Sequence, residues 1–184
     1  MDWKCTEFEQ LSTRELYSIL RIRSTVFVVE YAHPHLDLDC KDDRALHVFA
    51  LEREQGLQLV AAYARLLPGD EYDPEITIDR IVTYTNRRDD ETHDQLVAHA
   101  LIAARTAWPG RPIHTNVPAD QAAVYERFGF RKAVGPFLEH GMPYINMAYR
   151  MSLVGHHLPA LSLPAVQWIS PPGRLPRSIA TTIG

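Results

Sequence analysis

The sequence predicts a mixed α/β (α+β) fold, a central sheet with helices on its faces. Two β-rich runs meet at Gly56 as a hairpin, and a third run alternates apolar and polar residues. Beyond it, helical and strand-like segments take turns. Strands that first form hairpins and then alternate with helices suggest a mixed sheet. The expected order is α, β, β, β, α, β, α, β.

Ser12-Thr13-Arg14-Glu15 is a Ser-x-x-Glu capping box, and Leu16, Ile19, Leu20 and Ile22 follow at helical spacing. A helix is expected over 13–24, loosening at the β-branched and aromatic Thr25–Val29. Residues 31–44, with Pro34 and many polar groups, read as a loop. His47–Glu54 and Leu57–Leu67 are the hairpin strands, and Ile76–Val82 is the third strand. The alanine- and leucine-rich stretch 92–107 reads as a long helix, and Ile113–Val117 as a short strand. Ala119–Phe128 reads as a helix stopped by Gly129 at its C′ position. Tyr144–Leu153 closes the list as a strand.

The chain has 184 residues, 46% apolar and 23% charged, enough for one domain with a sizeable core. Cys5 and Cys40 form no CxxC pair, which excludes a disulfide scaffold and a zinc ribbon. No apolar run approaches the roughly 20 residues of a bilayer span. The polar, acidic start is unlike a secretory signal. A cytoplasmic protein with free thiols is expected, with no membrane contact. A net charge of −4 does not favour a nucleic-acid partner.

Charge and proline divide the chain at residue 155. All 23 acidic residues and 17 of the 19 basic ones precede it, so 1–154 carries −6 and the last 30 residues carry +2. Five of the 13 prolines fall in 155–184, among apolar residues such as Leu161, Leu163, Val166 and Trp168. This is a proline-rich apolar C-terminal extension to a domain at 1–154. An apolar extended segment needs a surface. It either lies over its own domain or docks on a partner chain, as in a homodimer.

The ordered set of local sequences resembles the GNAT acetyltransferase superfamily, and within it the ElaA-like branch. The resemblance runs over about 3–151. Its pieces begin with Trp3, Glu15-Leu16-Tyr17, Leu20-Arg21-Ile22-Arg23 and Val26-Phe27-Val28-Val29-Glu30. Pro34, Asp37-Leu38-Asp39, Asp42 and His47 follow, then Ala62-Tyr63-Ala64-Arg65-Leu66-Leu67 and Arg80-Ile81-Val82-Thr83. Tyr125-Glu126-Arg127-Phe128-Gly129-Phe130 and then Glu139, Gly141, Pro143, Ile145 and Met147 complete the set. It implies the GNAT fold, a mixed, mostly antiparallel central sheet flanked by helices.

The resemblance further implies acetyl-CoA between two splayed central strands, with its pyrophosphate at the following helix N-terminus. There the branch has Arg-Gly-x-Gly-x-Gly, whose glycines let backbone N–H groups approach the phosphates. The implied cofactor positions here are Ile81 and Val82 on the strand and Arg88, Asp89, Glu91 and His93 in the loop. Arg88 keeps the arginine, whereas the three glycines become Asp89, Glu91 and His93. A fourth glycine, in the third strand, is Asp79. Residues 86–94 carry a formal charge of −2. At an effective dielectric near 20, one like-charge pair at about 4 Å costs on the order of 4 kcal/mol. The helix dipole returns only about 0.3–1 kcal/mol per interaction. Arg87 and Arg88 could offset the repulsion unless paired with Asp90 and Glu91. Acetyl-CoA binding in the usual mode is therefore expected to be weak or absent. The acids would instead cap the helix themselves.

By the same resemblance, Tyr125 stands where a tyrosine protonates a departing CoA thiolate, and Glu30 and Glu139 stand at acidic positions that could deprotonate an amine. The closing motif has lost an acid and a histidine, at His140 and Tyr144, and the early Cys-Pro-Tyr is His33-Pro34-His35. His33, His35, Asp37, Asp39, Cys40 and Asp42 look like a metal cluster by composition. The acids, however, follow the family pattern without any metal, so none is expected.

Two functions compete. One is a degenerate GNAT-fold pseudoenzyme with impaired acetyl-CoA binding that acts by binding and modulating another protein. The other is an active N-acetyltransferase acting on an amine of a small molecule or protein. A third, minor reading puts a neutral or cationic ligand in the cleft between the splayed strands.

Overall fold

The computed structural model describes residues 1–32, 35–54, 56–139, 141–149, 159 and 161–169. Among these, eight strands form one sheet in the order β6-β7-β5-β4-β3-β2-β1-β8. The strands are β1 (Asp2–Glu7), β2 (Leu46–Glu54), β3 (Leu57–Leu67), β4 (Ile76–Thr83), β5 (Ile113–Pro118), β6 (Arg131–Glu139), β7 (Met142–Tyr149) and β8 (Val166–Trp168). The helices are α1 (Thr13–Arg23), α2 (Thr92–Ala107) and α3 (Ala122–Glu126). Neighbouring strands are antiparallel except β4 with β5 and β1 with β8. The mixed, mostly antiparallel GNAT sheet expected from the sequence is present.

α1 starts where the capping box places it. Ser12 Oγ accepts from the Glu15 amide at 3.3 Å, and Ser12 N donates to Glu15 Oε2 at 2.9 Å. The α-helical part ends at Arg23, and the chain loosens there as expected. It widens into a π-helical turn over Ser24–Glu30, where β-branched residues crowd the preceding turn. α2 spans the 92–107 expected. Its face of Leu96, Val97, Ala100, Leu101 and Ala104 buries against one side of the sheet, with Trp3, Val48 and Ala62. α1 covers the other side, where Ile19, Ile22 and Val26 meet Phe49, Val60, Tyr63 and Val82. β3 is thus buried on both faces, which explains its nearly continuous apolar run.

Four expectations change. β1 was not anticipated, because its charged residues hide the inward pair Trp3 and Cys5. β6 was not anticipated either. It is the edge strand, mostly exposed, so burial imposes no alternation on it, and Pro136 is tolerated there. The helix expected over 119–128 is a 3₁₀ turn followed by the short α3. It ends before Gly129, whose φ of +91° suits a residue without Cβ. The last strand runs 142–149, and positions 150–153 lie outside the described residues.

Part of the proline-rich extension is described. β8 adds to β1 in parallel, pairing Trp3 with Val166 and Cys5 with Trp168. Leu161, Leu163, Val166 and Trp168 pack against the core beneath α2, and Gln95 Nε2 donates to the Ser162 carbonyl at 3.1 Å. His156 and His157 lie outside the described residues.

Candidate functional site

β4 and β5 pair only at Ile76 with Ile113 and Thr77 with His114. Beyond Thr77 the two strands diverge. On the β3 side, Arg65 opposes Asp79 and Tyr63 opposes Val82, so β4 carries one extra residue there. This is a β-bulge, with Arg80 at φ +51°. Bulge and splay open a cleft of about 270 Å³ lined by Phe27, Tyr31, Arg80, Tyr125, Glu139 and Tyr144, among others.

Tyr125 and Glu139, two of the three catalytic candidates, are thus brought together at this cleft with Ile81. Tyr125 is buried, and burial, reinforced by the neighbouring Tyr31 and Tyr144, pushes its hydroxyl well above the ordinary tyrosine range. Burial also raises Tyr144, with the Glu139 carboxylate adding to it. Glu30 lies apart from them. Its carboxylate accepts from Thr85 Oγ1 at 2.7 Å and from Arg88 Nη2 at 2.5 Å. Burial opposes ionisation there, but these two donors win and hold the carboxyl below its usual range. Val82 faces the core under α1.

The loop between β4 and α2 is tied down by its own side chains. Arg88 Nε donates to the Thr83 carbonyl at 3.2 Å while Nη2 holds Glu30. Arg87 donates to Glu52 Oε2 from Nε and Nη2, at 3.0 and 2.6 Å, and to Asp90 at 3.3 Å. The pairing of Arg87 with Asp90 matches expectation, but Arg88 chooses Glu30 and not Glu91, because the π-helical turn brings Glu30 over the loop. Asp90 Oδ1 caps α2 by accepting from the Thr92 amide at 2.8 Å. Asp89 and Glu91 are exposed. His93 is half-buried. Its Nδ1 lies 3.2 Å from Thr83 Oγ1, and its ring meets Tyr125 edge-on at 6.0 Å. Burial pushes the imidazole below its usual range.

Behind the cleft lies a charge network that sequence reasoning missed. Arg65 is fully buried. It donates to Asp79 through Nε and Nη2, at 2.8 Å each, to Asp39 at 2.6 and 2.8 Å, and to Asp42 at 3.0 Å. Arg23 holds Asp37 at 2.7 Å and Asp42 at 2.8 Å, and Arg80 Nε stands 2.7 Å from Asp37. The hydrogen bonds from Arg65 drive Asp39 far below the usual carboxylate range. Asp79, at the fourth glycine position, therefore binds Arg65 at the edge of the cleft. Asp37, Asp39 and Asp42 serve arginines, and among the described residues no group of three metal-ligating side chains converges. His33 lies outside the described residues. The sequence signal was present: three acids at 37, 39 and 42 together with arginines inside apolar runs at 23 and 65.

Fold and cleft define a GNAT acetyltransferase-type protein. No protein-family model matches the chain. A UPF0039 protein of Synechocystis is 31% identical over 152 residues, 82% of this chain and 96% of that protein. Protein ElaA of Escherichia coli K12 is 29% identical over 150 residues, 80% of this chain and 95% of that one. The crystal structure of Escherichia coli ElaA superposes with TM-score 0.73, covering 82% of this chain and all of the other. An acyl-CoA N-acyltransferase from Pseudomonas aeruginosa gives TM-score 0.74 at 32% identity, over 81% and 99%. The chain belongs to the ElaA-like branch of the GNAT superfamily.

Proposed function

We propose that this protein is a cytoplasmic GNAT-fold pseudoenzyme that binds acetyl-CoA poorly or not at all at the usual phosphate seat. It acts by binding and modulating another protein. The observation that carries this reading is the closed loop. Arg88, the one cationic side chain kept from the family motif, is spent on Glu30 and the Thr83 carbonyl. The glycine positions carry two exposed carboxylates and an imidazole that fills the space beside Thr83 and Tyr125. A diphosphate would face Asp89, Asp90 and Glu91 while both loop arginines, Arg87 and Arg88, are already paired. Val29, Leu36 and Leu138 are exposed and offer apolar surface to a partner. Calorimetric titration with acetyl-CoA and CoA tests it. No binding at millimolar cofactor is expected, and micromolar binding overturns the reading.

A second reading is an active N-acetyltransferase acting on an amine. It is favoured by the convergence of Tyr125 and Glu139 at the cleft. Acetylation of an amine panel, read by mass spectrometry, separates the two. Self-association through the extension is tested by light scattering of the full chain and a form lacking 155–184. A homodimer that becomes a monomer supports it.

A further inference from the structure

We propose a second reactive centre, independent of acyl-CoA: a hydroxyl–imidazole–carboxylate relay of Thr77, His114 and Glu75 that hydrolyses small esters at the apex of the splayed strands. Thr77 Oγ1 and His114 Nε2 are 2.6 Å apart. On the far side of the ring, His114 Nδ1 stands 3.3 Å from Glu75 Oε2.

A carboxylate only accepts, so the ring proton belongs on Nδ1, facing Glu75. Nε2 then carries a lone pair and accepts the Thr77 hydroxyl proton. This is the tautomer in which an imidazole activates a hydroxyl nucleophile. The sheet builds it: Thr77 and His114 are register partners in the last pair before β4 and β5 part. Ile76 N, donating to the Pro112 carbonyl at 2.8 Å, pins the strands at the same place. The relay is therefore held by paired strands, while Thr77 itself lines the open cleft. In a sheet, the crevice beyond the carboxyl ends of parallel strands is where ligands enter.

Two nitrogen donors line the same cleft. Asn116 accepts from Asn146 Nδ2 at 2.8 Å through its amide oxygen, which leaves its own NH₂ for another partner. Arg80 spends Nε on Asp37 and Nη2 on the Asp37 carbonyl at 3.3 Å and on Asp39 at 3.5 Å, which leaves Nη1, 4.0 Å from Asp79. They are the groups able to face an oxyanion. The walls are aromatic, and the charged lining of Asp37, Asp79, Glu139 and Arg80 is net acidic. Volume and charge select a small acyl ester that is neutral or cationic and exclude anionic esters.

In the first half-reaction Thr77 Oγ1 bonds to the ester carbonyl carbon as its proton passes to His114 Nε2. Collapse of the tetrahedral adduct breaks the carbon–oxygen bond to the alcohol, which leaves with the proton from Nε2. In the second, water adds to the acyl-threonine and gives a proton to Nε2. Thr77 Oγ1 leaves and takes that proton back. The sum is ester plus water to acid plus alcohol. Thr77 and His114 are the catalytic residues, and Glu75 is a positioning residue.

The test uses the full chain with p-nitrophenyl acetate and no CoA. A burst of nitrophenolate is expected, with an acetyl group on the tryptic peptide containing Thr77. Thr77→Val should lose burst and adduct, while Thr77→Ser keeps both. His114→Gln should slow turnover by roughly a hundredfold. Glu75→Gln should lower kcat with KM unchanged, and its unchanged melting temperature would separate positioning from folding. Turnover by wild type no faster than by Thr77→Val, or acetyl on another residue and none on Thr77, overturns the relay. Adduct mapping on wild type alone decides the matter if a variant does not fold.

Discussion

Two regions of this molecule pair arginine with carboxylate, and they do so in opposite dielectrics. Around Arg65, whose side chain is 0% exposed, four aspartates and three arginines lock α1, the loop after it, β3 and β4 together. At the β4–α2 loop, Arg87 and Arg88 are 38% and 39% exposed and hold Glu52, Asp90 and Glu30. Removing a partner from a buried network leaves charge with no water to solvate it. Removing a partner from an exposed pair hands that charge back to solvent, and exposed pairs contribute about 0.2–1 kcal/mol. The same chemistry is structural in one place and adjustable in the other. The network ties together the elements behind the cleft; the loop pairs lie at the start of α2.

The harshest way to break this contrast is Arg65→Leu. It takes the buried partner from Asp39, Asp42 and Asp79, leaving Asp42 to Arg23 and the other two to the longer contacts with Arg80, and a loss of about 3–5 kcal/mol is expected in urea unfolding. A loss no larger than that of Arg88→Gln would erase the distinction between the regions. Acidification comes next. Burial pushes His47 and His99 down to about 4. Unfolded, each takes up a proton near pH 6.5, so between those values the unfolded state binds more protons. Stability therefore falls as pH drops through that window, by up to about 3 kcal/mol for each histidine. Asp39 and Asp42, held low by the arginines, add stability that is present above the ordinary aspartate value and lost below it. Urea midpoints at pH 7, 5.5 and 4.5 check the histidine part and midpoints carried below pH 3.8 the aspartate part, and His99→Phe should flatten the slope above pH 4.

Trp168→Ala is a milder probe of the extension. Trp168 is half-buried on β8 against the core under α2, and a loss of about 2 kcal/mol is expected from thermal unfolding. No change would mean that β8 contributes nothing to the edge of β1. The smallest effect on stability belongs to the loop. Glu30→Gln should shift stability by less than about 1 kcal/mol. Its use is sharper on binding. Combined with Asp89→Gly, Glu91→Gly and His93→Gly, it should give measurable calorimetric binding of CoA if the loop alone bars the phosphates. A silent titration would place the obstacle in the cleft itself.

Local signals were legible where the chain's own neighbours decide the outcome. The Ser12–Glu15 box placed α1, the alanine-rich stretch placed α2 to the residue, and Gly56 placed the hairpin. The candidate positions of Tyr125, Glu139 and the altered glycines came from the family resemblance and not from local pattern. Strands β1 and β6 could not be read, because an edge or an outlying strand needs only one or two inward side chains, and pattern then says little. The same limit hid the site. Residues 37, 39 and 42 looked like metal ligands, because a sequence shows carboxylates and not the arginines that fold onto them from β3, β4 and α1. Pairing of Arg88 with Glu91, three positions on, was one alternative the sequence left open, yet Arg88 reaches Glu30, 58 positions away. The pairing of Thr77 with His114 is a matter of strand register across 37 positions. The sequence by itself determined the fold class, the caps and the charges of the loop, because periodicity and propensity act over a few residues. Tertiary structure alone decided which charges neutralise which and what the cleft contains, because those energies depend on distance and burial, and both are set only when remote strands pair.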